Sequence, residues 1–134
     1  MYKVLEIDER MMDRDVIIQN LNTGTTELCF DNSIGYSDDH NFSFMKTDSD
    51  YECKILLIGD QQENKNESSL EYLLAEEHVV TIGNGTFIKV LYKDDVYYIS
   101  ADSVTIKETD RYVLFDSFRK DLLQVNDQVS PMYL

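Results

Sequence analysis

The chain has 134 residues, of which 43% are hydrophobic, including nine Tyr and six Phe, a composition that supports a packed fold and excludes a disordered chain. Against 12 Lys and Arg stand 26 Asp and Glu, leaving a net charge of −14, beyond the magnitude of about 2–8 usual for a small domain. That field opposes direct nucleic-acid binding and docking on an anionic membrane, and it favours a basic protein partner.

The length suits one β-rich domain over residues 1–134, large enough to hold together without metals or disulfides. Two cysteines, Cys29 and Cys53, lie in apolar runs and are expected as buried reduced thiols. The opening MYKVLEIDER has no apolar stretch of signal-peptide length, and no run is long enough to span a bilayer, which sets the cytoplasm as the expected compartment.

In chain order, Tyr2 to Asp8 alternates as a first strand and ends in the charged loop DERMMDRD. Val16 to Leu21 and Thr26 to Phe30 flank Asn22-Thr23-Gly24-Thr25, a hairpin signal with glycine where a positive φ is needed. From Asp31 to Phe44 runs DNSIGYSDDHNFSF, longer than most loops, whose Tyr36, Phe42 and Phe44 predict that it is partly docked. No basic residue occurs between Arg14 and Lys46, so this is the most negative continuous stretch.

Tyr51 to Ile58 reads as a strand with Tyr51, Cys53, Ile55 and Leu57 on its core face. GDQQENKNESS follows as a mobile polar connection near residues 60–69. Ser68 with Glu71 fits a capping box, and Leu70, Leu73 and Leu74 recur at helical spacing, predicting a short helix. Val79 to Ser100 is a three-stranded meander divided at Gly83-Asn84-Gly85 and at Lys93-Asp94-Asp95. Ala101 to Thr105 then reads as a tight turn, Arg111 to Phe115 as a strand, and Ser117 to Leu123 as a helical turn. The tail VSPMYL carries apolar residues that need no burial. The fold class expected is all-β, mainly antiparallel, a small closed or partly open barrel with one or two short helices.

The segment FIKVLYKDDVYYISADSV, Phe87 to Val104, resembles the distal part of an SH3-like barrel, with a strand, a short reversal, an aromatic-rich strand and a one-turn segment. The order of strands, helix and further strands is similar to an OB-like barrel as well. That resemblance would imply a basic nucleic-acid groove, which the composition opposes.

No motif of catalysis or metal binding accompanies these elements. His40 and His78 sit among acids, and no His or Cys has zinc-site spacing. Asp48-Ser49-Asp50-Tyr51-Glu52 begins like an EF-hand loop but has Cys53 at the sixth position and Gly59 at the twelfth. No nucleophile elbow or phosphate-binding glycine pattern is present, so neither catalytic residues nor a cofactor are expected.

The expectation is a non-enzymatic interaction protein that binds and neutralises a basic protein, the physical class of immunity proteins and of inhibitors that mimic nucleic acid. Asp31, Asp38 and Asp39 would meet Lys or Arg of the partner, Tyr36 and Phe42 would anchor the contact, and Asp48, Asp50 and Glu52 would form a second acidic patch. The alternative is a β-barrel accessory domain that takes a peptide or small ligand on exposed Tyr92, Tyr97 and Tyr98.

Overall fold

The computed structural model describes all residues from Met1 to Leu134. Its strands are β1 (Tyr2–Glu9), β2 (Arg14–Asn20), β3 (Thr26–Asp31), β4 (Asp50–Tyr51), β5 (Cys53–Gln61), β6 (Leu70–Ile82), β7 (Gly85–Tyr92), β8 (Asp95–Ser100), β9 (Tyr112–Val125) and β10 (Gln128–Val129). One helical turn, α1 (Ser33–Tyr36), follows β3, and 3-10 turns cover Ala101–Ser103 and Pro131–Tyr133. The architecture is the expected all-β one, a small partly open barrel.

The strands join in the order β4-β1-β2-β3-β9-β5-β8-β7-β6, with β6 also pairing to β9. Five strands, β9-β5-β8-β7-β6, therefore come round into a partial ring, while β4-β1-β2-β3 form a wing attached to it at β9. The meander falls where its turn residues place it. Gly83 at φ 59 and Lys93 at φ 55 occupy the first positions of two-residue loops, and these bring β6 to β7 and β7 to β8 in antiparallel register. Gly24, at φ 80, closes the four-residue loop 21–24 between β2 and β3.

Alternation then decides what is buried. Tyr2 and Val4 of β1, Val16 and Ile18 of β2, and Cys29 of β3 turn their side chains onto the ring, where Ile55, Leu57, Val90, Ile99 and Phe115 meet them in one core of 20 residues. Leu5 is an extra residue in the β1–β2 ladder, so the face of β1 changes at that point and Ile7 packs inward. On the opposite face of the ring a smaller core gathers Leu56, Ile82, Phe87, Tyr98 and Leu123. The C-terminal tail covers it. Tyr133 lies edge-on to Phe87 at 5.0 Å, and its carbonyl accepts the Asn84 N–H at 2.7 Å. Of the tail's apolar residues, Met132 and Leu134 are exposed, as expected, while Val129 and Tyr133 are half-buried against the second core.

Two helices expected from the sequence are strand. Leu70, Leu73 and Leu74 belong to β6, with Tyr72 and Leu74 buried, Leu70 on their face but exposed at the strand end, and Leu73 exposed on the other face. Those leucines satisfy period 2 through Tyr72 as well as period 3.6, and the β9 edge from Tyr112 to Phe115 supplies the hydrogen bonds that select the strand. Ser117 to Leu123 continues β9, because its neighbour β5 offers a full antiparallel ladder and both its faces meet a core, Leu122 in the larger and Leu123 in the smaller. The polar connection near 60–69 makes hydrogen bonds of its own. Asp60 and Gln61 are paired in β5, the Asn66 side chain accepts the backbone N–H groups of Ser68 and Ser69, and the Ser68 hydroxyl donates to Asp116.

Candidate functional site: the loop face and the buried carboxylates

The β2–β3 hairpin sets Arg14 directly opposite Asp31. The Arg14 Nε donates to Asp31 Oδ2 at 2.8 Å, and its Nη2 donates to the Phe42 carbonyl. Asp31 Oδ1 also accepts the Ser33 N–H, and the Ser33 hydroxyl oxygen accepts the Phe42 N–H, each at 2.9 Å. This closed network docks the 31–44 loop on the wing, as its aromatics predicted. It also corrects two expectations, since Asp31 is 2% exposed and Phe42 1%. They hold the loop in place and cannot touch a partner. A buried arginine demands such a carboxylate, because an unpaired charge in the interior is strongly destabilising. The sequence reading missed this pair: a loop over residues 22–25 sets residue 14 against residue 33, whereas the observed turn over residues 21–24 sets Arg14 against Asp31.

The other expected residues are on the surface. Tyr36, at the end of α1, is 60% exposed. Met12 and Ile34 are exposed beside it, and Gly35 admits the Met12 backbone, since a Cβ there would lie 3.0 Å from the Met12 carbonyl oxygen. Met132 reaches the same end, its sulfur 3.8 Å from the Asn32 side-chain nitrogen. Asp38 and Asp39 follow in a turn pinned by Ser37, whose hydroxyl oxygen accepts the N–H groups of Asp39 and His40. Asp48, Asp50 and Glu52 are exposed along and beside β4, with Tyr51 turned inward between the last two. Phe44 bridges the two acidic groups, edge-on to Phe42 at 6.5 Å and to Tyr51 at 5.9 Å.

Negative charge is not confined to this face. Glu6, Asp8, Asp60, Glu76, Glu77 and Asp102 are exposed on other strands and turns. Of the 12 Lys and Arg, four are in ion pairs: Arg10 with Asp13 and Asp15, Arg14 with Glu9 and Asp31, Arg119 with Asp121, and Lys120 with Glu27. What distinguishes the loop face is the apolar group of Met12, Ile34 and Tyr36 set next to carboxylates.

Three buried carboxylates, Glu27, Asp95 and Asp121, escaped the sequence reading. Glu27 accepts Lys120 Nζ at 2.7 Å and the Tyr97 hydroxyl. Asp95 has no cation; it accepts the Asn20 side-chain amide at 3.2 Å and the hydroxyls of Thr23 and Thr25 at 2.7 and 2.6 Å, tying the β2–β3 loop to the β7–β8 turn. Burial and the Glu27 carboxylate together drive the Tyr97 phenol pKa far upward. The tyrosines proposed as an exposed ligand surface are therefore corrected: Tyr97 and Tyr98 are buried, and Tyr92 is half-buried against Tyr72. They face the two cores because β8 lies within the ring, covered on both sides.

Both thiols are free, Cys29 buried and Cys53 half-buried, and burial pushes their pKa values up, that of Cys53 to about 12. His40 is exposed and His78 half-buried, and no three His, Cys, Asp or Glu side chains converge as metal ligands would. No helix is long and apolar enough to cross a membrane. Comparison with protein-family models, with characterised protein sequences and with solved structures returned no match. The likeness of Phe87 to Val104 to an SH3-like barrel thus rests on local strand order.

Proposed function

We propose that this chain is a non-catalytic binding protein that engages a basic protein partner through its loop face and neutralises it by occupying the partner's cationic surface. The observation that carries the reading is Tyr36, an exposed aromatic in an apolar group with Met12 and Ile34, followed within three residues by the exposed Asp38 and Asp39. An aromatic that can be desolvated supplies affinity, methionines adapt to the opposing shape, and flanking carboxylates select Lys and Arg and accelerate encounter. The net charge of −14 extends that attraction over the whole molecule. Asp48, Asp50 and Glu52 serve as a second acidic group joined to the first through Phe44. The Arg14–Asp31–Phe42 network gives the face a fixed shape, which lowers the entropy lost on binding.

The test is capture from host extract at low salt by the native protein and by a Tyr36→Ala, Asp38→Lys, Asp39→Lys variant. A basic protein retained by the first, lost by the second and released as salt rises is the expected result. Equal retention by both, or a retained partner without a basic surface, overturns the reading.

A further inference from the structure

The wing and the ring are joined by a seam with one stitch. β3 and β9 run parallel, and Phe30 opposite Asp121 is the only paired position between them. On the near side of that stitch the strands part. Thr26 to Cys29 pair with β2 alone, and Asp116 to Lys120 pair with β5 alone, β6 having left β9 at Phe115. Between the two free edges lies an open cleft of about 320 Å³. Backbone groups along such edges lack a ladder partner, and a strand of another chain can supply one.

The side chains at the cleft argue for an occupant. Gly59 pairs with Ser117 and Ile58 with Arg119, so Phe118 is the extra residue of a β-bulge, and it stands 73% exposed. A bulge protects an edge when it turns the strand away or presents a charge. This one presents a phenylalanine, and Leu28 is exposed across the cleft. The charges are layered. The Arg119 side chain is 46% exposed and its partner Asp121 11%; the Lys120 side chain is 33% exposed and its partner Glu27 3%. Glu27 and Asp121 lie beneath and the two cations face the mouth, where the one other lining acid, Asp15, has its side chain 32% exposed and is held by Arg10. Arg119 stacks 4.6 Å over the Phe30 ring and gives Nε and Nη2 to Asp121, leaving Nη1 free, while Lys120 Nζ keeps donors beyond the one given to Glu27.

We propose that the β3–β9 cleft receives an extended acidic segment of a partner protein as an added strand, with an apolar side chain against Phe118 and Leu28 and a carboxylate on Arg119 or Lys120. The contact combines backbone pairing, an apolar anchor and a charge-assisted hydrogen bond. It uses none of the residues of the loop face and stands or falls separately from it.

The experiment titrates the full chain into a fluorescein-labelled probe peptide, Glu-Val-Glu-Phe-Glu-Val, and follows anisotropy, with amide chemical shifts locating the site. Saturable binding is expected, with shifts concentrated in residues 26–29 and 116–120. Affinity should drop about tenfold or more for Phe118→Ala, whose exposed ring is not needed for folding, as for loss of an interface anchor. A probe with lysine in place of glutamate, and one methylated on alternate backbone nitrogens, should bind weakly as well. Absence of saturable binding, equal affinity for the methylated or lysine probe, or shifts elsewhere on the molecule would overturn the proposal.

Discussion

Tyr97 shows how one residue can join an apolar core to a charge. Its ring packs edge-on to Tyr72 at 6.0 Å, while its hydroxyl donates to Glu27. Burial raises the phenol pKa values of Tyr2 and Tyr72 to about 12 and that of Tyr97 further still. In the unfolded chain the same phenols ionise near pH ~10. Above that pH the unfolded state binds fewer protons than the folded one, so stability is complete below about pH 10 and declines as pH rises toward 12. Denaturation midpoints measured across this range, with tyrosinate absorbance recorded in parallel, should show the decline while several phenols stay neutral in the native protein. A midpoint constant through pH ~11, or native phenols that all titrate at the unfolded value, would contradict the burial described. Asp95 and the Arg14–Asp31 pair make the complementary point. A residue type that sequence reading assigns to a wet surface can be interior once donors converge on it.

Among the elements, β9 decides most. Its 14 residues pair with β3, β5, β6 and β10, and two bulges against β5 let it serve both cores. Gly59 makes the bulge at Phe118 possible, since a Cβ there would lie 1.9 Å from the Asp116 carbonyl oxygen. Gly59→Ala should therefore cost ~3 kcal/mol or more, the upper end of overpacking, because backbone rather than a flexible side chain must move. Gly24→Ala, at φ 80 with open space around it, should cost only the ~1–2 kcal/mol of a left-handed residue. Chemical denaturation of the two variants measures the difference, and a Gly59→Ala protein as stable as Gly24→Ala would mean that β9 has another register. The meander and the β2–β3 hairpin were legible because their turns carry glycine or polar residues at the required positions. Residues 68–74 and 117–123 were not. Their leucines fit both periods, and the partner strand that settles the choice is about forty residues away in one case and more than fifty in the other.

At the scale of the molecule, 26 carboxylates are spread over every face of a small barrel, and a minority of them meet a cation. Self-repulsion of this kind opposes the compact state. Raising salt from ~0.01 to ~0.15 M shortens the screening length from ~30 to ~8 Å. The melting temperature should climb by a few degrees over that interval, a shift that calorimetry resolves. A melting temperature that is flat or falls would show instead that the internal pairs at Arg10, Arg14, Arg119 and Lys120 outweigh the repulsion. The candidate site follows the same division. Tyr36, Asp38 and Asp39 were visible as a polar loop with an aromatic, whereas the pairing of Lys120 with Glu27 exists only once β3 lies beside β9.

Local chemistry in the chain was enough to determine an all-β class, the positions of the tight turns, the core face shared by Tyr51, Cys53, Ile55 and Leu57, and the acidic field. These follow from period-2 patterning, positive-φ residues and charge count, none of which needs a distant neighbour. Tertiary structure decided which acids are interior, which way the ambiguous leucine segments fold, where the tail lies and where the sheet is left unpaired. Each of those depends on what stands across a strand or a loop, and a free energy set by such a neighbour is not encoded in the segment itself.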